Sequence, residues 1–358
     1  MGKRLSSIYK LSFILLILVI TYNEYVVYTI NSWSWAKLTC KNETNCVKIL
    51  LVADPQLIGE KNEIYHVITP ISVWDSDRFL EKTYSTVVNH LKPDVIVFLG
   101  DLFDEGSIAN HEQFSRYLTR FFDVFTTGFP IIHIWLPGDN DIGGETDMVT
   151  DQKVRRFEEA FLQPSVIHVK HIKFSKVNRM LPDAPQSFAY ANIKDDHLSV
   201  VLSHMPLILI PGLYVDKALD ILKPRLIFSA HEHKSKLVQT NHLQQHRKII
   251  DLSAHDNKIY EYQLTKNDIH EIIIPTCSYR MGTRNVGYGG GKIEYDDTMQ
   301  YTVFWSPNRF AYLHIYLYTM VLIMLLILIR PVFKIITRPQ RIHGAKINFH
   351  YKLLKNGV

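Results

Sequence analysis

The chain alternates short apolar runs with polar breaks, and the breaks are unusually rich in Asp and His. Val47–Val52, Val95–Leu99, Ile131–Leu136, Val200–Leu202 and Leu226–Ser229 are mostly aliphatic runs of strand length. The strand over Asp94–Leu99, β-branched and apolar, suits a central strand buried on both faces. Each run leads into a polar motif: Asp54-Pro55-Gln56, Gly100-Asp101-Leu102-Phe103-Asp104, Gly138-Asp139-Asn140-Asp141, Ser203-His204 and Ala230-His231-Glu232-His233. Between them the spacing predicts helices over Asp77–Leu91, His111–Phe125, Asp151–Phe161 and Val215–Leu222. The first and last of these stop at Lys92-Pro93 and Lys223-Pro224, where proline discourages continuation. Strand–helix–strand order predicts an α/β domain, and polar groups gathered at strand ends are where such domains place their sites.

Past Pro164 the predicted strands shorten: His168–Phe174, Ser187–Asn192, His197–Leu202, Arg225–Ser229, a further alternating region from Lys248 to Pro275, and Tyr301–Trp305. Gly287–Gly291, four glycines in five residues, reads as a flexible loop. It is not a phosphate cradle, because no strand–helix context with Gly-Lys-Ser/Thr surrounds it.

Hydropathy changes the picture at both ends. Ala311–Ile329 is apolar all round, with His314 its only potentially charged member, so it is long enough to cross a bilayer. Leu11–Ile20 is apolar apart from Ser12, although Asn23 and Glu24 interrupt its extension to Ile30. A cleaved signal peptide is the alternative for this segment, but Tyr25–Trp35 lacks a small-x-small cleavage site, which favours a retained signal-anchor. The expected organisation is a cytosolic tail and anchor over 1–30, a lumenal domain over 44–308, a transmembrane helix over 311–329 and a basic cytosolic tail over 330–358.

Composition and charge agree with that layout. Hydrophobic residues make up 47% of the 358, enough for a substantial core, and the net charge of +5 is modest. Part of the surplus flanks the apolar ends: Lys3, Arg4 and Lys10 on one side, Arg330, Lys334, Arg338, Arg341 and Lys346 on the other. Positive flanks orient both ends to the cytosol and the intervening domain to the far side. No basic patch with interleaved aromatics points to nucleic acid. Asn42-Glu43-Thr44 is an N-glycosylation sequon, and Cys40 and Cys46 bracket it closely enough for a small disulfide loop, leaving Cys277 over.

Carboxylate, amide and imidazole donors without sulfur suit Mn²⁺, Fe, Zn²⁺ or Mg²⁺. Two such ions can share a carboxylate, grip a phosphate and acidify a water, and Asp101 is the candidate bridge. Gly100 before it permits a sharp backbone turn.

From Val47 to about His255 these motifs resemble the calcineurin-like metallophosphoesterase family, whose pattern is D-x-H, G-D-x-x-D, G-N-H-[DE], a later His and G-H-x-H. The resemblance implies a sandwich of two mixed β-sheets flanked by helices, holding two divalent ions with Mn²⁺ the first choice. It implies Asp54 and His233 on one ion, Asp139, His204 and His231 on the other, and Asp101 between them. Three positions depart from the pattern. Gln56 replaces a ligating histidine, and Asp139 replaces an asparagine. Asn140 stands where the family has the histidine that stabilises the leaving group, and an amide cannot donate a proton as imidazolium can. A one-residue shift, with Asn140 as ligand and Asp141 at the histidine position, is the alternative alignment. Asn140 and Asp141 are therefore the candidate catalytic residues, and His255 is a further histidine that a loop can bring to the site.

Residues outside the ligand set narrow the resemblance. Asp54–Gly59, Gly100–Gly106, Asp141-Ile142-Gly143, Lys153–Glu158 and Ile274–Arg280 resemble the GPI-glycan-remodelling branch of animals and yeast. That branch implies hydrolysis of an ethanolamine-phosphate side group on a mannose of GPI anchors, in the endoplasmic reticulum or early Golgi. GPI-anchored proteins would be the substrates, with the outcome their export through cargo carriers. Two rival readings are a different lumenal phosphodiester, and a metal-poor protein that binds GPI glycans as a cargo adaptor. Gln56 and Asn140 motivate the second.

Overall fold

The computed structural model describes residues 2–61, 68–181, 197–241, 246–252 and 258–336. The predicted strand over Ser187–Asn192, His255 and the basic tail beyond 336 lie outside the described residues. The chain forms two compact units: Thr21–Ala311, and a second one holding the two terminal stretches.

Within the larger unit, the described residues build two mixed sheets. The first contains β1 (Cys46–Val52), β2 (Val95–Phe98), β3 (Ile132–Trp135), β10 (Tyr260–Gln263), β12 (Gly287–Glu294) and β13 (Thr298–Trp305), in the order β10-β13-β12-β1-β2-β3. The second contains β4 (Val166–Val169), β5 (Ile172–Val177), β6 (Leu198–Ser203), β7 (Leu226–Ser229), β8 (Lys236–Asn241), β9 (Lys248–Asp251) and β11 (Asp268–Ile273), in the order β4-β5-β6-β7-β11-β8-β9. β1, β2 and β3 run parallel, as do β5, β6 and β7, so the ends of both parallel sets carry the polar motifs.

Period-two alternation explains the layering. Ile49, Leu51 and Val97 meet Val200, Leu202 and Phe228 in the core between the sheets. Leu50, Val52, Ile96 and Phe98 face the other way, onto α3 (Thr69–Leu91) and α4 (His111–Val124) through Leu80, Tyr84, Val87 and Phe121. Val201, Ile227 and Ile273 are covered by Val215, Leu219 and Leu222 of α7 (Leu213–Leu222). Each such fully buried aliphatic side chain stabilises the fold by about 1.5–3 kcal/mol.

The structure revises several expectations. Helix α3 starts at Thr69 rather than Asp77, because Pro70 sits in the first turn, where its missing N–H costs nothing. The single strand expected over His168–Phe174 is a hairpin of β4 and β5, turned at Lys170, whose φ is +51°. Gly287–Gly291 is not a loop. It is the buried start of β12, paired antiparallel to both β1 and β13. The glycines are there for close approach: a Cβ on Gly290 would lie 2.3 Å from the Phe304 ring. Cys40 and Cys46 form the expected disulfide, and Cys277 is a buried free thiol.

Helical residues Tyr9–Ser32 and Arg309–Leu328 are long and apolar enough to cross a membrane by length and composition, consistent with membrane anchoring.

Candidate metal centre

The loops after β1, β2, β3, β6 and β7 bring their polar side chains to one place. Asp54, Asp101 and His204 have ligand atoms within 4.8 Å of one another, and so do Asp139, His204 and His231. His204 belongs to both groups. The expected ligands Asp54, Asp101, Asp139, His204 and His231 are thus together, all of them buried or half-buried. A third group, Cys40, Cys46 and Glu294, has its thiols consumed by the disulfide.

The backbone at the site is held in an uncommon conformation. Asp54, Gln56, Asp101, His231 and His233 all have positive φ, from +41° to +69°. Such values are rare for non-glycine residues and concentrate at sites where surrounding structure imposes them. The imposing bonds are visible. Asp54 N–H donates to the Gly100 carbonyl at 3.3 Å, and Gln56 N–H donates to the Asp101 carbonyl at 3.0 Å. The Thr276 hydroxyl donates to the Asp54 carbonyl at 2.8 Å. Gly100 has φ +100°, and a Cβ there would lie 2.6 Å from His204 Nδ1.

His204 is aimed by a carbonyl. Its Nδ1–H donates to the Leu99 carbonyl at 2.8 Å, which leaves Nε2 facing Asp139 Oδ1 at 3.0 Å and Asp101 Oδ1 at 3.5 Å. A backbone acceptor on the far nitrogen is how proteins fix a metal-ligating tautomer. His231 Nδ1 lies 3.1 Å from the same Asp139 oxygen, and the two imidazole rings meet edge to face.

Asp101 is held by amides. Its Oδ2 accepts from Gln56 Nε2 and from Asn140 Nδ2, each at 3.0 Å, and its Oδ1 accepts from the Asn140 backbone N–H at 3.0 Å. His233 lies on the same side, with Nε2 3.5 Å from Gln56 Nε2. Asp141 is placed differently. Its carboxylate accepts from the backbone N–H groups of Gly138, Leu102 and Phe103 at 2.8, 3.1 and 3.0 Å, which ties the second and third loops together.

The electrostatics are those of a crowded, desolvated cluster. Burial, then the charge of Asp101, pushes the Asp141 carboxyl up to about 8. Burial raises Asp54 to about 7 and raises Asp101 as well, against the opposing pull of His204. Burial also acts on Asp139, but the hydrogen bonds from His204 and His231 outweigh it and hold that carboxyl well below its usual range. Burial works against protonation of His204, yet Asp101, Asp139 and Asp54 lift it to about 10. The bond to Asp139 raises His231, whereas burial and the two neighbouring imidazoles lower His233.

Three carboxylates and two imidazoles packed this closely fit divalent cations. Asp54 Oδ2 is buried with no hydrogen-bond partner. Buried unpartnered carboxylate oxygens are costly unless a cation takes them. The donor set is all oxygen and nitrogen, which suits hard or borderline divalent ions. Sequence reasoning did not find the supporting groups: the Leu99 carbonyl, the Thr276 hydroxyl and the donor role of Gln56. Only Thr276 carried a signal, as the first polar residue after the Ile272–Pro275 run at the end of β11.

Residues 47–235, more than half of the chain, match the calcineurin-like phosphoesterase family. Curated relatives include Metallophosphoesterase 1 of Danio rerio, 29% identical over 165 residues (45% of this chain, 42% of the relative). Metallophosphoesterase 1 of Xenopus laevis is 32% identical over 152 residues (41% and 36%). The match therefore spans less than half the length of these relatives. Among solved structures, a dimetal phosphatase from Danio rerio superposes over 72% of this chain and 95% of its own, with a TM-score of 0.39 and 9% identity.

Proposed function

Since the chain belongs to the calcineurin-like phosphoesterase family, we propose that it is a metal-dependent phosphoesterase that removes an ethanolamine-phosphate side group from a mannose of GPI anchors. The observation that carries a phosphoester reaction is the convergence of Asp54, Asp101, Asp139, His204 and His231 on one buried spot. When bound, two divalent ions, Mn²⁺ foremost, supply charge neutralisation for a phosphoryl group and an acidified water. The chain's own part is to hold them. Asp54 and Asp101 would serve one ion with His233 nearby, and Asp139, His204 and His231 the other. Leu99 orients His204, and Asn140 and Gln56 fix the rotamer of Asp101. Asn140, whose amide is engaged with Asp101, stands at the position of the family's acid but cannot supply a proton.

The choice of substrate is supported by residues outside the ligand set. Lys153–Glu158 and Ile274–Arg280 carry the resemblance to the GPI-remodelling branch, and two terminal apolar helices suit a lipid-anchored substrate. The compartment that follows is the endoplasmic reticulum to Golgi membrane with the catalytic domain lumenal, and GPI-anchored export cargo as partner. The test is direct. The purified full chain with Mn²⁺ is incubated with a GPI glycan bearing ethanolamine-phosphate, and mass spectrometry follows loss of that group. Loss with the wild type but not with Asp101→Ala supports the reading. An intact glycan, from a chain that cleaves a chromogenic phosphodiester, overturns the substrate and leaves the chemistry.

A further inference from the structure

We infer that the first turns of α3 form an interfacial membrane-docking surface, which holds the metal centre near the level of lipid headgroups. This rests on reading the two terminal apolar helices as membrane spans. The inward face of α3 carries Asp75, Ser76, Phe79 and Leu80, all buried. The outward face at its start should be polar if it met only water. Instead Ile68, Ile71 and Trp74 recur at helical spacing there and are 66%, 61% and 58% exposed. Scattered exposed apolar residues are ordinary, but a contiguous row ending in Trp is the composition of a bilayer interface.

The row continues to Tyr25 and Glu24 of the same compact unit. Arg78 lies over the Trp74 ring at 5.6 Å and over the Tyr25 ring at 5.4 Å, and Tyr25 is itself 58% exposed. The Arg78 guanidinium also donates to Glu24 at 2.6 Å. A hydrocarbon layer needs about 20 apolar residues. Counted from Leu11, after the last basic residue of the leader, that length ends beyond Glu24 and Tyr25. That end is Ile30, about 7 Å past Tyr25, so the surface packed beside Tyr25 lies just inside the bilayer boundary. Charges at this depth are paired rather than loose: Arg309, at the start of the C-terminal apolar helix, binds both Glu24 and Asp75.

The same helix connects to the chemistry. The Tyr279 hydroxyl donates to Asp75 at 2.8 Å, next in sequence to Trp74. Three residues before Tyr279, Thr276 holds the Asp54 carbonyl. Three residues span at most about 10 Å. Docking the start of α3 in the headgroup layer thus brings the metal centre to phosphoesters displayed at that layer, and the occupant of the surface is the bilayer itself.

The test uses the full chain in phosphatidylcholine nanodiscs, spin-labelled at Ile71→Cys, at Ile249→Cys on β9, or at Leu325→Cys in the C-terminal helix. Ile249 is a comparably exposed isoleucine, and Cys277 is buried away from the label. Collision rates with oxygen and with a water-soluble nickel chelate report depth. The expected result is several-fold more oxygen than nickel access at 71, as at 325, with the reverse at 249. Nickel access at 71 equal to that at 249, with 325 still in lipid, overturns the docking surface and spares the membrane reading. Protection of 71 from both agents means a protein covers it and also overturns the proposal. Water exposure at 325 overturns both readings.

Discussion

Asn140 grips Asp101 twice: its backbone N–H donates to Oδ1 and its side-chain amide to Oδ2, both at 3.0 Å. The residue at the position of the family's acid therefore acts here on a candidate metal ligand. Asn140→Ala keeps the backbone bond and removes the side-chain bond. Removal of a partner of this kind weakens metal binding by about 10–100-fold. Calorimetric titration of metal-stripped protein with Mn²⁺ checks this. Unchanged affinity with lost turnover would instead make Asn140 a residue that contacts substrate.

Asp141 gives a contrasting expectation. Its carboxylate satisfies three buried N–H groups from two loops. Each buried donor left unpaired costs about 1–3 kcal/mol, so Asp141→Ala should lower the thermal midpoint markedly and lose metal with it. Asp141→Asn keeps one acceptor oxygen and should fall between. If Asp141→Asn unfolds normally yet loses all turnover, Asp141 is acting as an acid and not as a tie.

The metal-free protein should lose stability as pH rises from 5 to 9. Asp54 has a folded value of about 7 against an unfolded 3.8, so above pH 3.8 the unfolded chain sheds a proton that the folded one keeps. That penalty grows until about pH 7. His204, at about 10 when folded, contributes stability that is full below 6.5 and is lost as pH rises through 10. Both trends run the same way. Added divalent metal takes the place of these protons, so the rise in melting temperature on metal addition should grow with pH. Scans at several pH values, with and without Mn²⁺, measure it. A gain in stability of the stripped protein toward pH 9 would contradict the placement of these groups.

Gly290→Ala places a methyl 2.3 Å from the Phe304 ring, inside a strand paired on both sides. Overpacking of this kind costs about 1–3 kcal/mol. The expected outcome is a lower unfolding midpoint with metal content retained. An unchanged midpoint would mean that the ring has room to move.

The strand-end motifs were legible because each candidate metal ligand follows a largely apolar run, four of them on strands paired on both sides and Asp139 after the edge strand β3. Asp54, Asp101, Asp139, His204 and His231 could thus be placed at strand ends from their order alone. What stayed hidden depended on tertiary contact. Gly287–Gly291 lacks side chains to show alternation, and its strand identity comes from the Phe304 and Leu51 side chains that press on it. The polar pattern of Lys236–Asn241 concealed β8, which pairs with β9 and β11. Asp141 resembles its neighbours as a residue type, and only the converging amides of Gly138, Leu102 and Phe103 set it apart.

The most direct test is the metal content of the purified full chain by elemental analysis, alongside Asp101→Ala and His231→Ala. About two equivalents of Mn, Fe or Zn in the wild type are expected, in keeping with a two-ion site. Both variants should hold less while remaining folded. A folded wild type without metal, even after Mn²⁺ is added, would contradict the dinuclear centre.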